Sequence, residues 1–215
     1  MKDLQTLFEL SSRGHNHLCP RQILGVRLGL AGSAALRLEL PVKDKRLLVI
    51  TETDGCFVDG VTAATGCTVG HRTLRVEDYG KAAATFVDTH TGRAIRVAPV
   101  IDIRQRAYVY APDESRHYFA QMQAYQVMPE AEMFTFTEVR LTTSIETIIS
   151  RPGLRVECDI CGEEIMNERE VHREGLTLCY ACASRAYYQP TGQHISMPYP
   201  FEQEPVLTAC PVESR

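Results

Sequence analysis

Cys158-Asp159-Ile160-Cys161, followed after seventeen residues by Cys179-Tyr180-Ala181-Cys182, is the stretch that organises the C-terminal part of this chain. Two residues between paired cysteines allow a tight turn to aim both sulfurs at one tetrahedral ion, and a second pair closes the shell, so the array reads as a four-thiolate zinc site. Gly162 supplies the permissive backbone that such a knuckle needs. Leu176-Thr177-Leu178 reads as a short strand leading into the second pair, and Ala181 to Ala186 as a helix start. Knuckle, hairpin and a helix carrying the last ligand suggest a treble-clef or zinc-ribbon module. The competing readings of the same spacing are two disulfides or a redox-active CxxC.

Around this module, 215 residues leave room for one medium domain. A hydrophobic fraction of 44% and a charged fraction of 23% are those of an ordinary globular chain. No apolar run approaches the roughly 18 residues that cross a bilayer, and the N-terminus lacks the pattern of a secretory signal. A cytoplasmic protein without membrane association is expected, and eight cysteines in that setting favour metal ligation over disulfides.

Upstream, the pattern predicts an amphipathic helix from Asp3 to Ser12, then a second from Pro20 to about Leu38 with Gly25, Gly29 and Gly32 on one close-packing face. Lys45 to Thr51 reads as a buried strand, and Asp54-Gly55-Cys56 opens a helical stretch ending near Gly66-Cys67. Thr73 to Glu77 reads as a strand, and Ala84–Val87 and Ala94–Val97 flank a hairpin turn. A helix over Asp113 to Met128 and a strand over Phe134 to Thr142 complete the set. This order predicts an α+β fold, a mixed core with helices packed on a sheet. Arg151-Pro152-Gly153 marks the break, dividing the chain into a core over 1–152, a finger over 153–188 and an irregular tail over 189–215.

The core holds a second concentration of soft ligands. His15, His17 and Cys19 alternate through one loop, so an extended backbone points them the same way. Cys19 precedes the second helix, where free N–H groups and the helix dipole favour a thiolate. Cys56 sits at a strand-to-helix turn after Asp54, and Cys67 and His71 follow. Any one of these cysteines also reads as a small buried hydrophobe. Asp54 and Asp59 read either as proton acceptors or as ordinary turn residues.

His15-Asn16-His17-Leu18-Cys19-Pro20-Arg21, Glu52-Thr53-Asp54-Gly55-Cys56, Thr65-Gly66-Cys67 and Asp78-Tyr79-Gly80-Lys81 together resemble the motifs of the FmdE-like family, named for one of the polypeptides of formylmethanofuran dehydrogenase. The resemblance covers about residues 10 to 140, and many members end in a treble-clef finger. It implies an α+β core that dimerises, with a metal cleft of His17, Cys19 and Cys56 holding zinc or another transition metal, and His15 and Cys67 as further ligand candidates. Asn16 and Arg21 stand where the family has glycines, which implies a narrower and more polar mouth. The dehydrogenase reaction itself needs a pterin-bound metal and iron–sulfur clusters. This chain has no ferredoxin-type cysteine run, so it is not the catalytic polypeptide of that enzyme.

Two functions follow. In the first, a metal-dependent enzyme or redox accessory uses three ligands and an open fourth position, with Cys19 and Asp54 as the reactive groups. In the second, the protein is a non-catalytic chaperone or sensor for molybdenum, tungsten or another transition metal, docking to a protein partner through its finger or tail. Nucleic acid is not an expected partner. The finger, over residues 153–187, holds four arginines and no lysine against seven acids, a net of −3, and the whole chain carries −4.

Overall fold

The computed structural model describes residues 3–42, 44–149 and 153–192, and the chain divides into two compact units, 1–150 and 151–215. Arg151 and Pro152 of the predicted break, and residues 193–215 of the predicted tail, lie outside the described residues.

The first unit is a mixed α/β core. Helix α1 (Leu4–Ser12) starts at Asp3, whose carboxylate accepts the Thr6 N–H at 3.0 Å. Helix α2 (Pro20–Ala35) starts with Pro at its first position and with the Gln22 side chain folded back to accept the Cys19 N–H at 2.7 Å. Strand β1 (Leu47–Thr51) leads to α3 (Cys56–Thr65), which Gly66 ends in the left-handed region at φ 74°. Then come β2 (Leu74–Val76), β3 (Ala84–Asp88), β4 (Ala94–Pro99), α4 (Ile103–Tyr110), α5 (His117–Val127), α6 (Glu130–Met133), β5 (Phe134–Val139) and α7 (Ile145–Ile149).

The five strands form one sheet in the order β2-β1-β3-β4-β5, parallel between β1 and β2 and antiparallel elsewhere. Leu47, Val49, Ala84, Phe86, Ile95 and Val97 point into the main core beneath the helices. Leu48, Val87 and Ala94 point the other way, where Ile145 and Ile148 of α7 cover them. Both faces of the central strands are therefore dry. That is why Leu47-Leu48-Val49-Ile50 reads as an unbroken apolar run rather than an alternating one.

Helix α2 runs through the middle, with nearly every position from Gln22 to Ser33 buried. Its glycine face meets two elements. A Cβ on Gly25 would lie 2.1 Å from the Phe57 carbonyl oxygen, and one on Gly60 would lie 2.2 Å from that of Gln22, so α2 and α3 touch backbone to backbone. Gly32 instead admits the Phe86 ring, 2.3 Å from where its Cβ would stand. On the opposite side the guanidinium of Arg27, 8% exposed, donates to the carbonyls of Tyr125, Gln126 and Met128 at 2.8–3.2 Å. These are free acceptors at the C-terminal end of α5, where a cation is also favoured by the dipole.

Five helices differ from the sequence reading. Helix α2 stops at Ala35 because Arg37 turns to φ 59°. Helix α5 starts at His117 rather than near Asp113, after a loop holding Pro112. Helices α4, α6 and α7 were not predicted; α4 buries only Ile103 and Ala107, too few for an apolar stripe, and α6 and α7, at four and five residues, are too short to show a helical period.

One charged pair anchors the β3–β4 hairpin. Asp88 accepts from Arg46 at 3.0 and 2.8 Å and from the His90 N–H at 3.0 Å. The Arg46 bonds, first, and the His90 N–H hold its carboxyl well below the usual carboxylate range, against the opposing cost of burial. A depressed folded value means that the stabilisation is complete above the unfolded value of about 4 and fades as the pH falls through the folded one. Asp88→Asn should therefore lower stability by about 1–2 kcal/mol at pH 7, with the half-exposed Arg46 keeping the loss below that of a fully buried pair. Melting curves of the two proteins should converge as the pH drops below about 4. A gap that stays constant down to acid pH would show that the charge of Asp88 is not what matters.

The second unit consists of two small hairpins, β6 (Arg155–Glu157) with β7 (Glu164–Met166) and β8 (Val171–Arg173) with β9 (Leu176–Leu178), then a helical turn over Ala181–Arg185. Among the described residues its core is Cys158, Ile165, Leu178 and Ala183, with Val171, Cys179 and Cys182 against them.

Candidate metal centre

In the finger the first cysteine pair sits on the β6–β7 turn and the second straddles the step from β9 into the helical turn. Gly162, at φ 71°, donates its N–H to the Cys158 carbonyl at 2.9 Å and so curls the knuckle. Asp159 links the two hairpins, its carboxylate accepting the Thr177 N–H at 2.6 Å and its own N–H donating to the Thr177 carbonyl at 2.9 Å. The sulfurs of Cys158, Cys161, Cys179 and Cys182 all lie within 4.8 Å of one another. The Cys161 and Cys179 sulfurs are 3.9 Å apart. A tetrahedron of thiolates around zinc, with bonds of about 2.3 Å, has edges of about 3.8 Å, so the spacing fits the ion.

The local electrostatics are those of a cation site. Backbone N–H groups of Cys161 and Cys179 draw the Cys158 thiol down to about 6. The Cys182 N–H points at the Cys179 sulfur at 3.4 Å. The crowded partner sulfurs, Cys179 first, and burial push the Cys182 thiol up to about 12. Four sulfurs this close oppose one another's ionisation until a cation joins them, when all four deprotonate. The cysteines belong to one four-thiolate site rather than to separate disulfides or a lone CxxC.

The core arranges its soft ligands differently. Helices α2 and α3 run parallel, since Gln22 and Gly25 meet Phe57 and Gly60 while Gly29 meets Val61, Ala64 and Thr65 further on. Their N-termini therefore open at the same end, with Cys19 as the cap of one and Cys56 as the first residue of the other. Both cysteines are half-buried. Burial, first, and the neighbouring Cys19 sulfur push the Cys56 thiol up. Tyr118, on α5, donates its hydroxyl to the Leu18 carbonyl at 3.3 Å and is raised by burial and then by both cysteines, which places it beside the pair.

His15 turns to Asp59, Nε2 to Oδ2 at 2.8 Å, and the two line a groove of about 400 Å³ between the end of α1 and α3. His17 and Asp54 stand exposed on the flanking loops. Cys67 lies beyond the far end of α3, 4% exposed, with its thiol toward the Leu47 carbonyl at 3.5 Å. Ten helical residues put it about 15 Å from Cys56. Burial pushes its thiol up. Among the described residues, the finger cysteines alone gather three or more ligand atoms within 4.8 Å. The core thus brings together Cys19 and Cys56, gives His15 to Asp59 and packs Cys67 elsewhere. Tyr118, which walls the pair, had no signal in the sequence beyond its helical spacing.

The matches to known proteins follow the same division. The family model described as FmdE, molybdenum formylmethanofuran dehydrogenase operon, matches residues 14–149. The prokaryotic dksA/traR C4-type zinc finger model matches residues 152–188. A probable S-adenosyl-L-methionine-binding protein of Archaeoglobus fulgidus is 37% identical over 86 residues, 39% of this chain and 24% of that protein, so the match spans about a quarter of its length. The crystal structure of a tungsten formylmethanofuran dehydrogenase FmdE-like protein from Syntrophus aciditrophicus, 20% identical, superposes with a TM-score of 0.57 over 87% of this chain and 96% of that one, which shows a common fold. With its core matched from residue 14 to residue 149, the chain belongs to the FmdE family and carries a C4 zinc finger behind that domain.

Proposed function

We propose that the protein binds two metals, a structural zinc in the finger and a transition metal, zinc or another, at the mouth formed by Cys19 and Cys56 with His17 closing from the adjacent loop. One observation carries this reading: two parallel helices in backbone contact present a cysteine each from the same end, so two soft sulfur ligands face one opening. A site with two or three protein ligands keeps positions open for water or substrate, which suits a metal-dependent enzyme or redox accessory. Asp54 and Asp59 flank the mouth as proton acceptors. The alternative, a metal chaperone or sensor, draws on the same open, soft-ligand site. We place the protein in the cytoplasm as a homodimer, supported by exposed Val109, Phe119 and Val127 on the adjoining helices α4 and α5. No helix among the described residues is long and apolar enough to cross a membrane. The acidic finger surface supports a protein partner over nucleic acid.

Metal stoichiometry tests the reading. The purified chain should carry two metals, and Cys19→Ser should carry one, because a serine hydroxyl is a far poorer ligand for a soft transition metal than a cysteine sulfur. His90→Ala, on the distant hairpin turn, should keep both. One metal in the wild type, or two in Cys19→Ser, would remove the core site. Turnover by the two-metal protein, against release of the core metal to an acceptor, would separate enzyme from chaperone.

A further inference from the structure

We propose that Cys19 and Cys56 form a reversible disulfide, making the mouth of the core a thiol–disulfide exchange site for a low-molecular-weight disulfide. The geometry follows from the α2–α3 packing. The Cβ of an alanine at Gly60 would lie 2.9 Å from the Cα of Gly25 and 2.7 Å from the N of Val26, so no side chain separates the two helices near their N-terminal turns. The packing carries the N-terminal ends of both helices to one opening, where the Cys19 and Cys56 side chains are hydrogen-bonding neighbours. Cys19 lies one turn before Gln22, whose carbonyl touches Gly60, and Cys56 lies one turn before Gly60 itself. Tyr118 of α5 donates its hydroxyl to the Leu18 carbonyl at 3.3 Å, next to Cys19, and walls this opening. Both thiols are half-buried and so reachable by a small oxidant, whereas Cys67, at 4% exposure, is not.

The chemistry balances without a metal. A thiolate of the pair attacks the S–S bond of the oxidant, forming a mixed disulfide and expelling one thiolate. The second cysteine gives its proton to water and attacks the protein-side sulfur of that mixed disulfide, closing the Cys19–Cys56 bond and expelling the other thiolate. The protein loses two electrons and two protons, and the oxidant becomes two thiols. Once closed, the bridge leaves neither sulfur free as a thiolate ligand. Metal at the mouth and the disulfide therefore exclude each other, although the bridge itself does not depend on a metal ever binding there.

The test uses the full chain reduced and loaded to one metal, with the finger zinc in place and the mouth free of metal. It is treated with oxidised glutathione, quenched by alkylation, digested and mapped by mass spectrometry. A peptide joining Cys19 to Cys56 should appear, vanish on treatment with dithiothreitol, and exceed the glutathione adduct of either cysteine about tenfold, because a tethered thiol acts at millimolar or higher effective concentration. Cys67 should be alkylated only after denaturation. In Cys56→Ser the adduct on Cys19 should accumulate instead, with no cross-link. Wild-type protein that collects glutathione on Cys19 or Cys56 without the cross-link, or that leaves both thiols free, overturns the proposal. This readout is separate from metal content: with the mouth free of metal, a missing cross-link removes the disulfide alone, while the core metal site stands or falls on the stoichiometry of the reduced protein.

Discussion

Gly25→Ala, the addition of a single methyl group, should cost the core about 3 kcal/mol or more, enough to remove a large part of a stability of about 5–15 kcal/mol. The new Cβ would stand 2.1 Å from the Phe57 carbonyl oxygen, and because that atom is backbone it cannot swing away. The helices must separate, and with them the packing of Ile23, Val26, Phe57 and Val61, all essentially without exposure. Alanine gains about 1 kcal/mol over glycine in helix propensity, so a contact-free glycine would be stabilised by the change and the clash must exceed that gain. Gly60→Ala should behave alike, since its Cβ meets the Gln22 carbonyl at 2.2 Å. Gly14→Ala is the control, with nothing within 4 Å. Chemical denaturation of the three variants is the measurement. A Gly25→Ala protein as stable as wild type would mean that α2 and α3 do not touch at the backbone, and the shared mouth of Cys19 and Cys56 would go with that contact.

The other large effect belongs to the finger. Four buried residues cannot offset the conformational entropy of roughly 35 ordered ones, so the metal supplies the folding free energy of this unit. Cys158→Ser or Cys182→Ser should abolish zinc binding in the finger, open residues 154–187 to protease and leave the 1–150 core melting as before. A strong chelator should give the same cleavage pattern in the wild type. Cys158, whose sulfur accepts the Cys179 N–H at 3.3 Å, is 2% exposed, so a serine there also leaves a hydroxyl without its metal in the small core. Limited proteolysis with mass mapping decides the matter: a Cys158→Ser finger that keeps zinc and resists protease would refute the four-thiolate assignment.

How much of this was legible beforehand depended on how local each determinant is. The finger's metal site was readable because its ligands come as two local pairs, and two-residue spacing with Gly162 after it dictates the knuckle without help from the rest of the chain, whereas strands β6, β7 and β8, at three residues each, were too short to show a pattern. The long periodic helices, the buried β1 run and the β3–β4 hairpin were readable for the same reason. Helix α4 was not, because it buries only Ile103 and Ala107 and is held by its neighbour α5 rather than by its own pattern.

The core ligands show the limit most clearly. Spacing alone singled out His15, His17, Cys19, Cys56 and Cys67, with His15 and Cys67 the weaker candidates, and did not say which of them meet. Only the crossing of α2 and α3, set by Gly25 and Gly60 at positions 35 residues apart in the chain, decided that Cys19 and Cys56 share one mouth. The same crossing sends Cys67 to the far end of α3, and Asp59 on its exposed side draws His15 away. Sequence by itself determined what each short segment does within one or two turns of itself, because capping, turn conformation and metal-ligand spacing are local. The tertiary structure decided which of those segments meet, because the depth at which two helices pack is set by the absence of side chains between them.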